Sequence, residues 1–156
     1  MRLVIAAVGL RQPAWAREAF DDFARRMPVE TGLELAEVKA ERREGGKTAQ
    51  QLMVAEAQRL RAACPRGAWL VALDERGERR TTAQLAERLS FWRRAGRDIA
   101  FVIGGPDGLD DALKAQADET LRLSDLTLPH ALARVVLAEA LYRAASMIAG
   151  HPYHRD

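Results

Sequence analysis

The feature that most constrains this chain is its alternation of short apolar runs with amphipathic stretches. Leu3–Val8, Trp69–Leu73 and Ile99–Ile103 are almost unbroken runs of Leu, Ile, Val, Ala and aromatic residues. Such runs, too short for helices, read as strands buried on both faces. Leu33–Val38 sets Leu33 and Leu35 against Glu34 and Glu37, a strand with one wetter face. Leu121–Leu128 reads as a fifth strand and its loop. Helical periodicity fills the intervals. Pro13 opens a helix to about Arg26 with Trp15, Ala19, Phe20 and Phe23 on one face. Thr48–Ala63 follows, then a helix capped by Thr81 with Gln84 three residues on and Gly96 as its stop. A short helix over Leu109–Ala117 and a long one over His130–Ile148 complete the set. Strands joined by helices imply right-handed crossovers and a mainly parallel sheet covered on both faces. The expectation is one α/β domain over residues 1–156.

Ligands of such sheets sit beyond the carboxyl ends of the strands. The segments that follow Leu73, that follow Ile103 and that span Leu123–Leu128 are therefore the candidates. Gly104-Gly105-Pro106-Asp107-Gly108 comes directly after a buried strand, and its glycines let backbone approach a ligand. Its spacing is not the dinucleotide fingerprint. An ordinary tight turn is the competing reading. Gly46-Lys47-Thr48 has P-loop context, but Glu41 stands where a phosphate loop needs its first glycine. Arg42, Arg43 and Lys47 remain candidates for holding an RNA backbone.

Helix 130–148 is apolar almost all round, through Leu132, Val135, Val136, Leu137, Leu141, Met147 and Ile148. One sheet face does not account for so much apolar surface, and a subunit interface is the natural outlet. Its polar residues read as two pairs at a surface rim, Glu139 with Arg143 and His130 with Arg134. The three histidines, His130, His151 and His154, all lie from residue 130 onward, with Tyr153 and Arg155 beside the last two. A tail of this composition reads as tied down and used. His151 and His154 lack further ligands for a zinc site, so no metal is expected.

Other classes are excluded or disfavoured. Twenty-four Lys and Arg against 22 Asp and Glu leave a formal charge of +2, far from a polycation, although a local basic patch is still open to nucleic acid. The single cysteine, Cys64, forbids an intrachain disulfide and reads as a structural thiol. No nucleophile elbow, H-E-x-x-H or EF-hand loop occurs. The opening MRLVIAAVGLRQP is neither a signal peptide nor a span, so a cytoplasmic address without membrane attachment is expected.

Four ordered segments then resemble a known family. They are Ile103–Leu109, Leu123–His130, Glu139–Ala144 and His151–Arg155, joined by Val8-Gly9 and Leu73-Asp74. Together they closely resemble the bacterial ribosomal RNA large subunit methyltransferase H family over essentially the whole chain. The resemblance implies a SPOUT-class fold: a parallel sheet, a C-terminal trefoil knot and a homodimer. It implies S-adenosylmethionine as cofactor and methylation of N3 of a pseudouridine in helix 69 of 23S rRNA on the assembled 70S ribosome. Carried onto this sequence, cofactor-binding residues are Leu73, Gly104, Gly105, Leu123, Ser124, Asp125, Leu126, Thr127 and Leu128. Catalytic candidates are His130, Glu139, Arg143, His151, Tyr153, His154 and Arg155. The histidines are candidate bases. Arg143 and Arg155 would stabilise charge on the base carbonyls. Tyr153 would stack on or hydrogen-bond the flipped nucleotide, and Glu139 would orient Arg143. The tail of one subunit is expected to complete the pocket of the other. Arg76–Arg80 joins Arg42, Arg43 and Lys47 as candidate phosphate contacts, with solvated loop charge as the alternative. A non-catalytic ribosome-associated module and a nucleotide-binding regulator are the rival functions.

Overall fold

The computed structural model describes residues 1–155. Five strands form one sheet: β1 (Arg2–Val8), β2 (Gly32–Val38), β3 (Trp69–Leu73), β4 (Ile99–Ile103) and β5 (Glu119–Leu121). Every pairing is parallel and the order is β2-β1-β4-β3-β5. The helices are α1 (Ala14–Arg26), α2 (Ala49–Ala63), α3 (Thr82–Ala95), α4 (Asp111–Gln116) and α5 (His130–Ile148), followed by a 3-10 turn at Pro152–Arg155.

The period of two along each strand sorts the core into two layers. Leu3, Ile5, Val71, Phe101 and Ile103 face α1, α3 and α5, where they meet Phe20, Leu89, Trp92, Leu137 and Leu141. Ala6, Val8, Leu70, Ala72 and Val102 face α2 and α4, where they meet Ala57, Leu60 and Leu113. Small side chains on the second face let α2 lie close. Leu89 and Leu137 have no exposed surface, so truncating either to Ala costs about 2–5 kcal/mol in transfer and cavity terms.

The caps follow the sequence. Thr48 and Thr81 each accept from the backbone N–H three residues on, while Gln51 and Gln84 reach back to the cap N–H. Gly96 ends α3 at φ 68°, a left-handed position that suits glycine.

Four expectations need correction. Trp15, placed on one face of α1 with Ala19, Phe20 and Phe23, is 54% exposed; it sits in the first turn, and Ala16 and Phe20 carry the buried face instead. The helix expected over Leu109–Ala117 shortens to Asp111–Gln116, because Asp110 caps it by accepting from the Leu113 N–H. The fifth strand is Glu119–Leu121, and Arg122–Leu128 is loop beyond its end. Arg134 is no rim residue: it is 2% exposed and does not pair with His130. It donates to Glu37 Oε2 at 2.7 Å and to the carbonyls of Val8 and Gly9, both at 2.9 Å.

Candidate functional site

The carboxyl ends of β3, β4 and β5 open into a cleft of ≈ 390 Å³, within the size range of small-molecule sites. Leu73 and Leu121 form its floor, the Gly104–Gly108 turn one wall and the 122–128 loop the other. His130 and Ala133 close it from the start of α5. Of the expected cofactor residues, Leu73, Gly104, Gly105, Leu123, Ser124, Leu126, Thr127 and Leu128 line this cleft. Asp125 does not; its carboxylate turns outward to Arg79 at 2.7 Å and Arg122 at 3.3 Å. Leu126 is 77% exposed at the cleft mouth, an apolar side chain unshielded within the chain.

The glycines serve the wall in a way that their spacing did not reveal. A Cβ on Gly104 would stand 2.5 Å from the carbonyl carbon and oxygen of Gly108. Gly104 therefore permits the turn to close on itself, sealed by the Gly108 N–H donating to Gly105 O at 2.9 Å. A Cβ on Gly105 would stand 3.0 Å from Glu56 Oε1. Glu56, on α2 and 5% exposed, props the turn from beneath and accepts from the Glu41 N–H at 3.1 Å. Sequence reading missed Glu56, although a glutamate among apolar positions of a helix was a visible signal.

Charged groups also line the cleft. Lys114 Nζ lies 3.5 Å from Asp74 and 3.3 Å from Asp111. Partial burial pulls this ammonium down, but the two carboxylates outweigh it and leave its pKa raised. Asp107 also lines the wall and accepts from Arg43 at 2.5 Å. Leucine walls with acidic and basic groups among the lining residues suit a ligand that has both an apolar part and a charged part.

The remaining catalytic candidates assemble elsewhere. Glu139 lies nine residues beyond His130, about 13 Å along the axis of α5. Its Oε1 accepts from Arg143 Nε at 2.8 Å and from the Tyr153 hydroxyl at 3.1 Å. Tyr153 packs against Tyr142 with ring centroids 4.6 Å apart and the ring planes tilted by 58°, and the Arg143 guanidinium lies 4.9 Å from the Tyr153 ring centre. Burial and then the Glu139 carboxylate push the Tyr153 phenol up. His151 Nδ1 accepts from the Tyr153 N–H at 3.2 Å, and His154 Nδ1 lies 2.6 Å from the His151 carbonyl. Arg155 is exposed. Within one chain the tail is thus docked on α5, and only His130 reaches the cleft. Among the described residues no three His, Cys, Asp or Glu side chains gather as a metal site, and no helix is long and apolar enough to cross a membrane.

Several basic residues expected to meet phosphate are instead paired with acids. Lys47 and Arg59 share Glu41 at 2.9 and 2.5 Å, and Arg42 lies 3.6 Å from Glu44. Arg80 bridges Glu78 and Glu119. Cys64 is half-buried and donates to the Leu60 carbonyl, and burial raises its thiol pKa.

A parallel sheet with its cleft between a glycine turn and a leucine loop defines a small-molecule-binding α/β protein. The family model described as "Predicted SPOUT methyltransferase" matches residues 1–154, and the chain belongs to the SPOUT methyltransferase family. Curated relatives named Ribosomal RNA large subunit methyltransferase H match it end to end. That of Methylibium petroleiphilum is 62% identical over 156 residues, covering 100% of both chains. That of Leptothrix cholodnii is 60% identical with the same coverage, and that of Bordetella petrii 57% identical over 99% of each. In fold, the chain is similar to a probable methylase family protein from Haemophilus influenzae Rd KW20. The TM-score is 0.54 at 15% identity, covering 97% of this chain and 69% of that one.

Proposed function

We propose that this protein is an S-adenosylmethionine-dependent methyltransferase of large-subunit ribosomal RNA, acting on N3 of a pseudouridine in helix 69 of 23S rRNA in the assembled 70S ribosome. The observation that carries the reading is the cleft at the ends of β3, β4 and β5, lined by eight of the nine residues that the family resemblance assigned to the cofactor. End-to-end identity with the curated rRNA methyltransferases supports the substrate class. The protein acts in the cytoplasm as a homodimer, one domain per chain over residues 1–156, with the trefoil knot of its family between β4 and α5.

When bound, the cofactor supplies a methyl group on a sulfonium, already attached to a good leaving group. Leu73, Leu123, Leu126 and Leu128 would hold its apolar part against the backbone of Gly104 and Gly105, with Ser124 and Thr127 beside them. The chain's remaining task is to position an imide nitrogen and remove its proton, and positioning supplies much of the acceleration. His130 borders the cleft and is the base offered from within the same chain. His151, His154, Arg143, Arg155 and Tyr153 do not line that cleft. We assign them to the cleft of the partner subunit, where the arginines face charge on the base carbonyls and Tyr153 stacks on the extruded nucleotide. Glu139 holds Arg143 and Tyr153 in place.

Calorimetry with S-adenosylmethionine, ATP and GTP tests the cofactor: one S-adenosylmethionine per chain is expected and neither triphosphate. Triphosphate binding instead would overturn the reading. Mass spectrometry of 23S rRNA from treated 70S ribosomes locates the methyl group; a methyl outside helix 69 would overturn the assigned position. Sharing of sites is read by mixing a tail-deleted chain with Gly104→Val, each inactive alone. Activity returns in the mixture if one complete site forms per mixed dimer.

A further inference from the structure

The Lys39–Thr48 segment crosses from β2 to α2 and leans on the glycine turn. The Arg43 guanidinium is 56% exposed, yet one of its nitrogens lies 2.5 Å from Asp107 Oδ2. Asp107 is itself one of the residues that line the cleft. One residue of the glycine turn thus belongs to the cleft lining while its carboxylate holds a solvent-facing arginine. Within the segment Lys39, Arg42, Arg43 and Lys47 stand against Glu41 and Glu44; Lys47 and Arg42 are paired with those two acids, and Arg43 reaches out of the segment to Asp107.

The turn does not depend on Arg43 for its shape. Gly108 N–H closes it onto Gly105 O, Glu56 lies beneath it, and Gln50 holds Asp110 at 3.0 Å. Removing Arg43 therefore changes the charge of the wall and leaves its backbone in place. Two cations that line the cleft, Lys114 and Arg122, are already engaged by acids, the first by Asp74 and Asp111 and the second by Asp125.

We propose that Arg43 exchanges Asp107 for a phosphate of the substrate RNA, and that the carboxylate so released strengthens the hold of the cleft on its cationic cofactor. This rests on the methyltransferase reading. S-adenosylmethionine carries one more positive charge than the demethylated product, so a released Asp107 favours the methyl donor over S-adenosylhomocysteine. RNA engagement and methyl-donor binding then reinforce each other, by the same factor in both directions.

Calorimetric titration of the full-length protein is the test, because the sign separates this role from a structural one. Arg43→Ala imitates the RNA-engaged state. It is expected to bind S-adenosylmethionine about fivefold more tightly than the wild type, the scale of one charge felt across several ångströms of partly hydrated protein. Its affinity for S-adenosylhomocysteine should change much less. Asp107→Asn should weaken S-adenosylmethionine, and Arg43→Ala added to it should bring no gain. A merely structural pair would make Arg43→Ala bind both ligands more weakly, and that result, or an unchanged affinity, overturns the proposal. Co-sedimentation with 70S ribosomes reads the reverse direction. Wild type should pellet more completely with S-adenosylmethionine than with the product, and Asp107→Asn equally with both; a difference that survives in Asp107→Asn overturns the proposal. A wild type that binds no S-adenosylmethionine, with or without ribosomes, refutes the methyltransferase reading itself. A wild type that binds it while Arg43→Ala brings no gain refutes only the exchange.

Discussion

Arg134 of α5 donates to the Glu37 carboxylate of β2 at 2.7 Å, joining residues 97 apart in the chain. The same guanidinium caps the carbonyls of Val8 and Gly9 at the end of β1. One buried side chain therefore seats the helix that carries His130 onto two strands at once.

Arg134→Met should keep the volume but leave two buried carbonyls and Glu37 without their donor. We expect a loss of about 3 kcal/mol, the range for breaking a buried charged pair. Urea unfolding reads it, and a midpoint within experimental error of the wild type would show that α5 is seated by its apolar face alone.

Glu119 is the second hub. Its Oε1 accepts from Trp69 Nε1 at 2.7 Å, from Trp92 Nε1 at 3.0 Å and from Arg88, while Oε2 accepts from Arg80 at 3.1 Å. Glu119→Gln puts an amide donor among these donors. A loss of roughly 2 kcal/mol or more is expected, since hydrogen bonds to charged groups are the stronger kind. Indole fluorescence follows it directly, because Trp69 and Trp92 both report on the carboxylate.

Gly104→Ala should abolish cofactor binding at little distance from the wild-type fold, because its methyl group collides with Gly108 and reopens the turn. Gly32→Ala is the control: nothing lies within 4 Å of its Cβ position, and its stability should stay within about 0.5 kcal/mol of the wild type. Calorimetry with S-adenosylmethionine distinguishes the two. Equal binding by both variants would remove the turn from the site.

Asp98 accepts from the Arg2 N–H at 2.9 Å and from its guanidinium at 2.8 Å, tying β1 to the entrance of β4. The backbone N–H is the main cause that holds this carboxyl below its ordinary value; burial opposes it, and the Arg2 side chain adds to the lowering. A lowered folded-state pKa means stability that is present above the unfolded value and lost as pH falls through the folded one. Wild type should thus lose stability below about pH 4 more steeply than Asp98→Asn. The difference should stay under about 1 kcal/mol, because the pair is partly solvated. Parallel acid limbs for the two proteins would count against the pair.

Local signals in the sequence carried much of this fold. Thr48 with Gln51 and Thr81 with Gln84 announced two helix starts, Gly96 a stop, and the apolar runs the strands. What local signals could not carry was which groups meet across the chain. Nothing near residue 134 distinguishes a buried arginine from a rim arginine, because its partners are Val8, Gly9 and Glu37. Trp15 has the periodicity of a core residue, yet in the first turn of α1 it stays in water while Ala16 next to it is buried. Basic loops read as free because their acids, Asp107 for Arg43 and Asp125 for Arg79, lie 64 and 46 residues away. The cleft itself was legible because three chain segments had to converge at the strand ends. The division between cleft and tail was not, since it depends on where α5 points.

The strand order also bears on how the chain is made. β1 is synthesised first, but its neighbour on the inner side, β4, ends at Ile103. Two-thirds of the polypeptide must leave the ribosome before the centre of the sheet can close, and Arg134 must follow before the end of β1 is capped. Non-local parallel pairings of this kind fold slowly. During its own translation the apolar flank of β1 waits unpaired, so synthesis speed and chaperone access bear on the yield of active protein.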